Sequence, residues 1–478
     1  MDCAGHVRRS PHKERIVVFA VLAAMALAVI DAGIVNVALP SLALAFDAAP
    51  SHVILVVTAY QVALLIGLLP SAHIAERVGY RTLFVGGIAL FCGPALLCAN
   101  APTLWLLITA RFLQGLGGAA IMALGVALMR SALGDERLGA AIAWIALTVA
   151  TCSAAGPAVG ALILLFAPWR WLFIAALPLG AIALVAARAL PDDTPTRKHI
   201  DRSGIAMYAA TVLLFLSGAK TAGTYAGAAW GFAAAAVACL LWLANRSRKQ
   251  EAPLVPFDLL ERQPFALQIG AATCLFIGQS IGLVALPFYV QAVLGRGPLV
   301  VGLVVTCWPL AVAIASMTAN RMKRRPGTAA QCVLGSVVLA AGLLLSATVT
   351  PQSDVVRLAI GAGLCGVGFG LFQLANNKAL FFSAPISRAA ITGGMQGTAR
   401  LAGQVTGTVI VSLIFSSWAL DLAPRFALFT GAGFALAAAL ISAWAGRLPR
   451  PDASSNGYVS CDLGRKTILV VSDKISPR

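Results

Sequence analysis

The residues best placed to do chemistry in this chain are charged and amide side chains stranded in runs that are otherwise apolar. Asp31, within Ile30-Asp31-Ala32-Gly33-Ile34-Val35-Asn36-Val37-Ala38-Leu39-Pro40, is the carboxylate that lies well inside such a run. An acid at the centre of a membrane helix costs about 2.5–3.5 kcal/mol on insertion scales, so chance is a poor explanation and a bundle-facing role is the default. Such a group can alternate between a neutral acid and a carboxylate open to a cation, the least that exchange of a proton for a substrate requires. The plainer role is a structural acid hydrogen-bonded to a neighbouring helix. Arg111, in Ile108-Thr109-Ala110-Arg111-Phe112-Leu113-Gln114-Gly115, supplies a cation that keeps its proton. Pairing with Asp31 or with Gln114, and parting again, would make a proton switch; otherwise Arg111 lies near the outer end of its helix and snorkels to the interface.

Other constellations shape access more than chemistry. Gly156 and Gly160 flank Pro157 in Ser153-Ala154-Ala155-Gly156-Pro157-Ala158-Val159-Gly160-Ala161. The small residues permit close helix approach and the proline removes a helical hydrogen bond, so the segment reads as a hinge or seal, or simply as packing. Ala75-Glu76-Arg77-Val78-Gly79-Tyr80-Arg81 reads as a short charged turn whose Glu76, Arg77 and Arg81 latch an inward-closed state, or merely set topology. Gln396, Arg400 and Gln404 recur every four residues and share one helix face among glycines. That polar stripe, with Asn376 and Asn377, is a candidate cavity lining, or glue between helices. Gly361-Ala362-Gly363-Leu364-Cys365-Gly366 matches a dinucleotide fingerprint, but it sits inside an apolar run with no strand before it and is a coincidence. No P-loop pattern occurs, the five His are dispersed, and the ten Cys show no metal spacing. We expect no metal, no disulfide and no enzymatic activity.

These residues must be positioned by membrane helices. The 478 residues are 59% hydrophobic and 11% charged, with mean hydropathy +0.88. Apolar runs recur near 16–39, 53–70, 82–99, 103–128, 138–164, 171–187, 204–219, 228–243, 265–286, 299–319, 328–349, 355–376, 390–416 and 426–446. At roughly 1.5 Å per residue each can cross a hydrocarbon core about 30 Å thick, and lipid forces such segments to be helical. The fold class is therefore an all-α membrane protein of fourteen helices.

The net charge of +17 sorts by loop parity. The odd-numbered loops hold only Arg170, Lys220, Arg296, Arg357 and Arg425, while Arg111 and Arg400 lie within spans; all other Lys and Arg fall in the two tails and the even-numbered loops. By the positive-inside rule both termini are cytoplasmic, and the basic face meets anionic lipid rather than nucleic acid. Two polar segments, 188–203 and 244–264, divide the helices into six, two and six. The expected parts are a cytoplasmic N-terminal tail 1–15, a six-helix half 16–190, two extra helices in 191–250, a second six-helix half 251–448, and a disordered cytoplasmic tail 449–478. The two extra helices are Ala/Leu-rich spacers facing lipid. Two halves around a central cavity imply alternating access by rocking.

Taken together, these segments resemble the fourteen-span drug:proton antiporters of the major facilitator superfamily. Asp31 to Pro40, with Asn36, fits the first-span signature of that family; Ala72 to Arg81 resembles its loop motif; Arg111 with Gln114-Gly115 matches its span 4 motif, and Gly156-Pro157-Ala158-Val159-Gly160 its antiporter motif. Ala161 stands where a second Gly is common, and Ala72, Glu76 and Tyr80 depart from the loop pattern. Trp169-Arg170-Trp171-Leu172-Phe173 looks like the entry to span 6, and Phe372-Gln373, Asn376-Asn377, Pro385 and Ala399-Arg400-Leu401-Ala402-Gly403-Gln404 resemble one branch of these exporters.

The resemblance covers about 16–446 and implies a monomeric multidrug exporter of the bacterial inner membrane. No cofactor is implied, because a proton gradient drives the exchange. On this reading Asp31 binds the proton in competition with a lipophilic, cationic substrate, Arg111 tunes that carboxylate, and the Gly156-Pro157 region controls access. The alternatives are export of a neutral or anionic metabolite, with Arg111 and Arg400 as its ligands, and a sensor or lipid-handling protein that transports nothing soluble.

Overall fold

A computed structural model describes residues 11–134, 137–190, 201–221, 225–248, 250, 255–321, 327–349, 355–384, 388–448, 458–463 and 466–471. Among them, fourteen helices are long and apolar enough to cross a membrane. They are α1 (Glu14–Ala45), α2 (Pro50–Val78), α3 (Tyr80–Ala99), α4 (Leu104–Leu133), α5 (Ala140–Phe166), α6 (Arg170–Ala189), α7 (Arg202–Thr221), α8 (Gly227–Ser247), α9 (Gln263–Val293), α10 (Pro298–Thr318), α11 (Thr328–Ala347), α12 (Val355–Phe382), α13 (Ile391–Ser417) and α14 (Ala423–Ala445). Each expected apolar run falls on one of them.

Several helices overrun the expected boundaries. Prolines explain part of this: Pro40, Pro70, Pro94, Pro157, Pro287 and Pro309 all lie inside helices. A proline costs a membrane helix one backbone bond, which neighbouring groups can make good, so it does not end the helix as it would in water. Instead of a turn over Ala75–Arg81, α2 runs to Val78 and α3 starts at Tyr80. The break is Gly79 alone, at φ 100°, a conformation that suits glycine.

Helices α1–α6 and α9–α14 pack by the same rule. In the first set α1 lies on α5 and α6, while α4 lies on α2 and α3. In the second, α9 lies on α13 and α14, while α12 lies on α10 and α11. The sets meet along two seams, α5 with α10 and α2 with α13. The Gly361–Gly366 run serves this packing: a side chain on Gly361 would strike Ser346 of α11, and one on Gly366 the Trp308 carbonyl of α10.

Buried apolar residues connect the sets unequally. On the side of the α1–α2 and α9–α10 connections one cluster is continuous, joining Ile34–Leu42, Val53–Val57 and Ala161 to Ile281–Val290 and Val301–Val305. On the side of the chain termini the first set has its own cluster, which takes only Leu401 and Val405 from the second set. Leu259, Phe265, Leu380, Ala384 and Met395 form a third. Among the described residues the two sets share a continuous apolar core on the first side, and on the second only Leu401 and Val405 join them.

The α7–α8 hairpin exposes Leu213, Phe215, Trp230, Leu241 and Trp242, as a lipid-facing spacer should. It is also tied down: Tyr208, Val212 and Leu243 are buried with the first set, and the Tyr208 hydroxyl donates to the Leu65 carbonyl of α2 at 3.1 Å. In the tail, where disorder was expected, β1 (Tyr458–Leu463) and β2 (Lys466–Val471) pair antiparallel, in keeping with the strand preference of Val459, Ile468, Val470 and Val471. The rest of that tail, residues 1–10, most of the segment 188–203 and Pro385 lie outside the described residues.

Candidate functional site

Asp31 and Arg111 pair directly. Arg111 Nη1 donates to Asp31 Oδ2 at 2.5 Å and to Gln114 Oε1 at 2.8 Å, while Gln114 Nε2 donates to Asp31 Oδ1 at 3.1 Å. The three side chains close a ring of hydrogen bonds between α1 and α4, and each is at most 1% exposed. The helical spacing of Arg111 and Gln114, three residues apart, sets both on the face turned to α1. Arg111 therefore does not snorkel.

Three more residues complete the enclosure: Tyr60 and Cys98, neither singled out in the sequence, and Phe173, noted there only as part of the entry to span 6. The guanidinium of Arg111 lies over the Tyr60 ring of α2, 4.2 Å from its centroid, with Phe173 of α6 at 5.9 Å. Tyr60 donates to the Ala28 carbonyl of α1 at 3.4 Å, and Cys98 Sγ of α3 lies 3.9 Å from Gln114 Oε1. A tyrosine in the middle of an apolar helix, one of only six in the chain, was the available clue. Gly115 allows the approach, since a Cβ there would lie 2.5 Å from the Tyr60 carbonyl oxygen.

The expected hinge region adjoins this ring. Gly33, two residues beyond Asp31, faces Gly156 and Pro157 of α5: a Cβ on Gly156 would lie 3.1 Å from Gly33 Cα and from the Ile30 carbonyl. Gly160 packs as tightly on Ile34. The other side of the same α5 segment meets α10, where a Cβ on Gly302 would collide with the Ala161 methyl. Where the resemblance leads one to expect a second Gly, this chain carries Ala161 and sets a glycine opposite it. Asn36, about one turn beyond Gly33 in α1, is half-buried with an unpaired Oδ1, and Pro40 is buried within the same helix.

The remaining candidates lie elsewhere. Arg81 Nη2 donates to the Arg188 carbonyl at the end of α6, 3.1 Å away, a contact within the first half. Arg77 is exposed, and Glu76 is half-buried. In the second half Gln396 Nε2 donates to Asn377 Oδ1, joining α13 to α12. Asn376 is buried with an unpaired Oδ1. Arg400 and Gln404 are half-buried, and the Gln404 carbonyl accepts from Ser280 of α9 at 2.9 Å. The structure thus brings the expected residues together in two groups: a buried charge ring beside the close Gly33–Gly156 crossing in the first half, and an amide and guanidinium stripe on α13.

Two like-packed sets of apolar helices, the first enclosing a buried charge pair, have the architecture of a membrane transporter, and the family match makes the chain a transporter rather than an enzyme. The chain belongs to the Major Facilitator Superfamily, whose profile matches residues 21–408. It is 36% identical over 433 residues to the uncharacterized transporter YebQ of Escherichia coli K12, covering 89% of this chain and 94% of that protein. It is 28% identical over 400 residues to the multidrug resistance protein Stp of Mycobacterium tuberculosis H37Rv, covering 81% and 73%. Among solved structures, an auto-inhibited POT family peptide transporter superposes with a TM-score of 0.68 at 15% identity, over 91% of this chain and 98% of that one, a likeness of fold.

Proposed function

We propose that this transporter exports small lipophilic compounds in exchange for protons, with Asp31 as the proton-binding group. The observation that carries the reading is the ring of Asp31, Arg111 and Gln114 set two residues from a helix crossing that reaches the seam between the halves. Protonation makes Asp31 neutral and leaves Arg111, which keeps its charge, without its counterion. The two helices then have less to hold them together. A shift of α1 is passed at Gly33 to Gly156 and Pro157, and through Pro157 and Ala161 to Gly302 of α10. One proton thereby biases a two-state seam.

The charge bias of the loops supports a cytoplasmic location for both termini in a bacterial inner membrane. On that orientation the conformation described is closed to the outside and takes its load from the cytoplasm. A cationic substrate finds no free carboxylate at Asp31, because Arg111 and Gln114 already occupy both oxygens. Competition between proton and substrate therefore acts through the helices rather than at one shared oxygen.

The test is a growth-inhibition panel in an efflux-deficient bacterial host, followed by everted vesicles. Tolerance to several unrelated lipophilic compounds, with dissipation of an imposed pH gradient when each is added, is the expected result. Unchanged tolerance and an undisturbed gradient with every compound would remove the proposal.

A further inference from the structure

The stripe on α13 faces the space between the halves, as the contacts around that helix require. Gly394 and Gly397 meet Leu69 and Leu68 of α2, and Thr408 reaches Gln61 of α2. Gly403 and Gly407 lie on α9, against Phe276, Ile277 and Ser280. Arg400 falls between these two faces on the side of Gly407, with Gln396 at the α9 edge, joined to Asn377 of α12, and Gln404 at the α2 edge. Arg400 is therefore turned inward, about nine residues or roughly 14 Å into α13 from the termini side.

Arg400 has no counterion among the described residues. Its Nε is buried without a partner, and no ion pair to its guanidinium forms there. The sequence says why: from Gln263 to Ala445 the only acids are Asp354 and Asp421, both outside the spans. The single acid deep in the first half, Asp31, is spent on Arg111. An uncompensated guanidinium inside a membrane protein costs several kcal/mol and is retained where something anionic arrives to pair with it. Arg suits a carboxylate, whose two oxygens match its parallel N–H groups.

We propose that Arg400, with Asn377 and Gln396 beside it, binds the anionic group of the exported compound, so that the substrate class is lipophilic organic acids carrying a carboxylate. The inference rests on the export reading above and sharpens it. The same stripe repels lipophilic cations. Gln396 spends one amide N–H on the Asn377 oxygen, which leaves the Asn377 N–H groups as donors to the same anion.

The test is equilibrium binding to the purified full chain in detergent, using three probes of one ring size: 2-naphthoate, 2-naphthamide and 2-naphthylmethylammonium. Naphthoate is expected to bind about tenfold or more tighter than the amide, as a charge-assisted pair should. Arg400→Gln should bring naphthoate down to the level of the amide while leaving amide binding within twofold, and Arg400→Lys should restore part of the difference. Naphthoate no tighter than the amide in the wild-type protein overturns the proposal and needs no variant. So does an Arg400→Gln variant that keeps the preference. Proton counterflow separates this from the export reading: a naphthoate preference without any proton movement supports the anion site and removes coupled export. Proton movement driven by the cation, with no naphthoate preference, does the reverse.

Discussion

At the scale of the residue, the charge ring makes a sharp demand. Breaking a buried ion pair from one side leaves the other charge alone, at a cost of about 3–5 kcal/mol, whereas removing both is near neutral. Asp31→Asn should therefore lower the melting temperature of the purified protein substantially, and Asp31→Asn with Arg111→Gln should recover most of the loss. Equal melting of the single variant and wild type would mean that the pair holds nothing. Asp31 and Arg111 were legible in the sequence because a charge in an apolar helix is rare and expensive. Tyr60 and Cys98 were not, and Phe173 was legible only as part of a helix entry, because nothing along the chain distinguishes a residue that caps a charge on another helix from one that packs against lipid. The same limit hid the difference between two arginines that looked alike in sequence: Arg111 is neutralised by Asp31, whereas Arg400 forms no ion pair among the described residues.

At the scale of the element, the α5–α10 seam depends on a small residue on each side. Gly302→Ala should force the seam apart on the side now sealed, raising the reactivity of a cysteine introduced at Leu42 toward a membrane-impermeant maleimide. Ala161→Gly in the same protein should reverse the effect, since it removes the methyl that Gly302→Ala would strike. An increase that Ala161→Gly leaves untouched would place the clash elsewhere. The α5 motif was readable as close packing, but its partners, Gly33 on one side and Gly302 on the other, are set by tertiary approach alone.

A second element-scale feature lies outside the membrane. Asp201, at the start of α7, accepts from Arg246 Nη2 of α8 at 2.9 Å, and also from Gln250, Ser203 and the Gly204 amide. Arg246 beside it, with Gln250, Gly204 and Ser203 adding to the effect, holds its carboxyl well below the usual carboxylate range. A depressed folded-state value means the clip is fully present above the unfolded carboxylate value of about 3.9 and is lost as pH falls through the lower folded value. Hydrogen exchange in the first turn of α7 should thus show no loosening of the clip from pH 7 to pH 5. Asp201→Asn should quicken that exchange across the whole range while leaving transport within twofold. A wild-type helix start that loosens already at pH 5 would contradict the clip.

At the scale of the whole molecule, the fourteen apolar helices could be read from the lengths of the apolar runs, because the bilayer sets that length. The asymmetry of the core could not: that the described residues of the halves share a continuous apolar core on one side and only Leu401 and Val405 on the other is a property of a conformation, and one sequence serves every conformation of the cycle. The anchoring of the α7–α8 hairpin by Tyr208 was likewise hidden, since one tyrosine in an otherwise lipid-facing helix gives no sign of the carbonyl it will meet. The central claim, that a proton taken up and released by Asp31 drives exchange, joins all three scales. It is tested most directly in proteoliposomes of the full chain, by following internal pH when a compound to which the protein confers tolerance is added. Wild type is expected to move protons against the compound and Asp31→Asn to move none, while still binding it. Proton movement by Asp31→Asn at the wild-type rate would contradict the account.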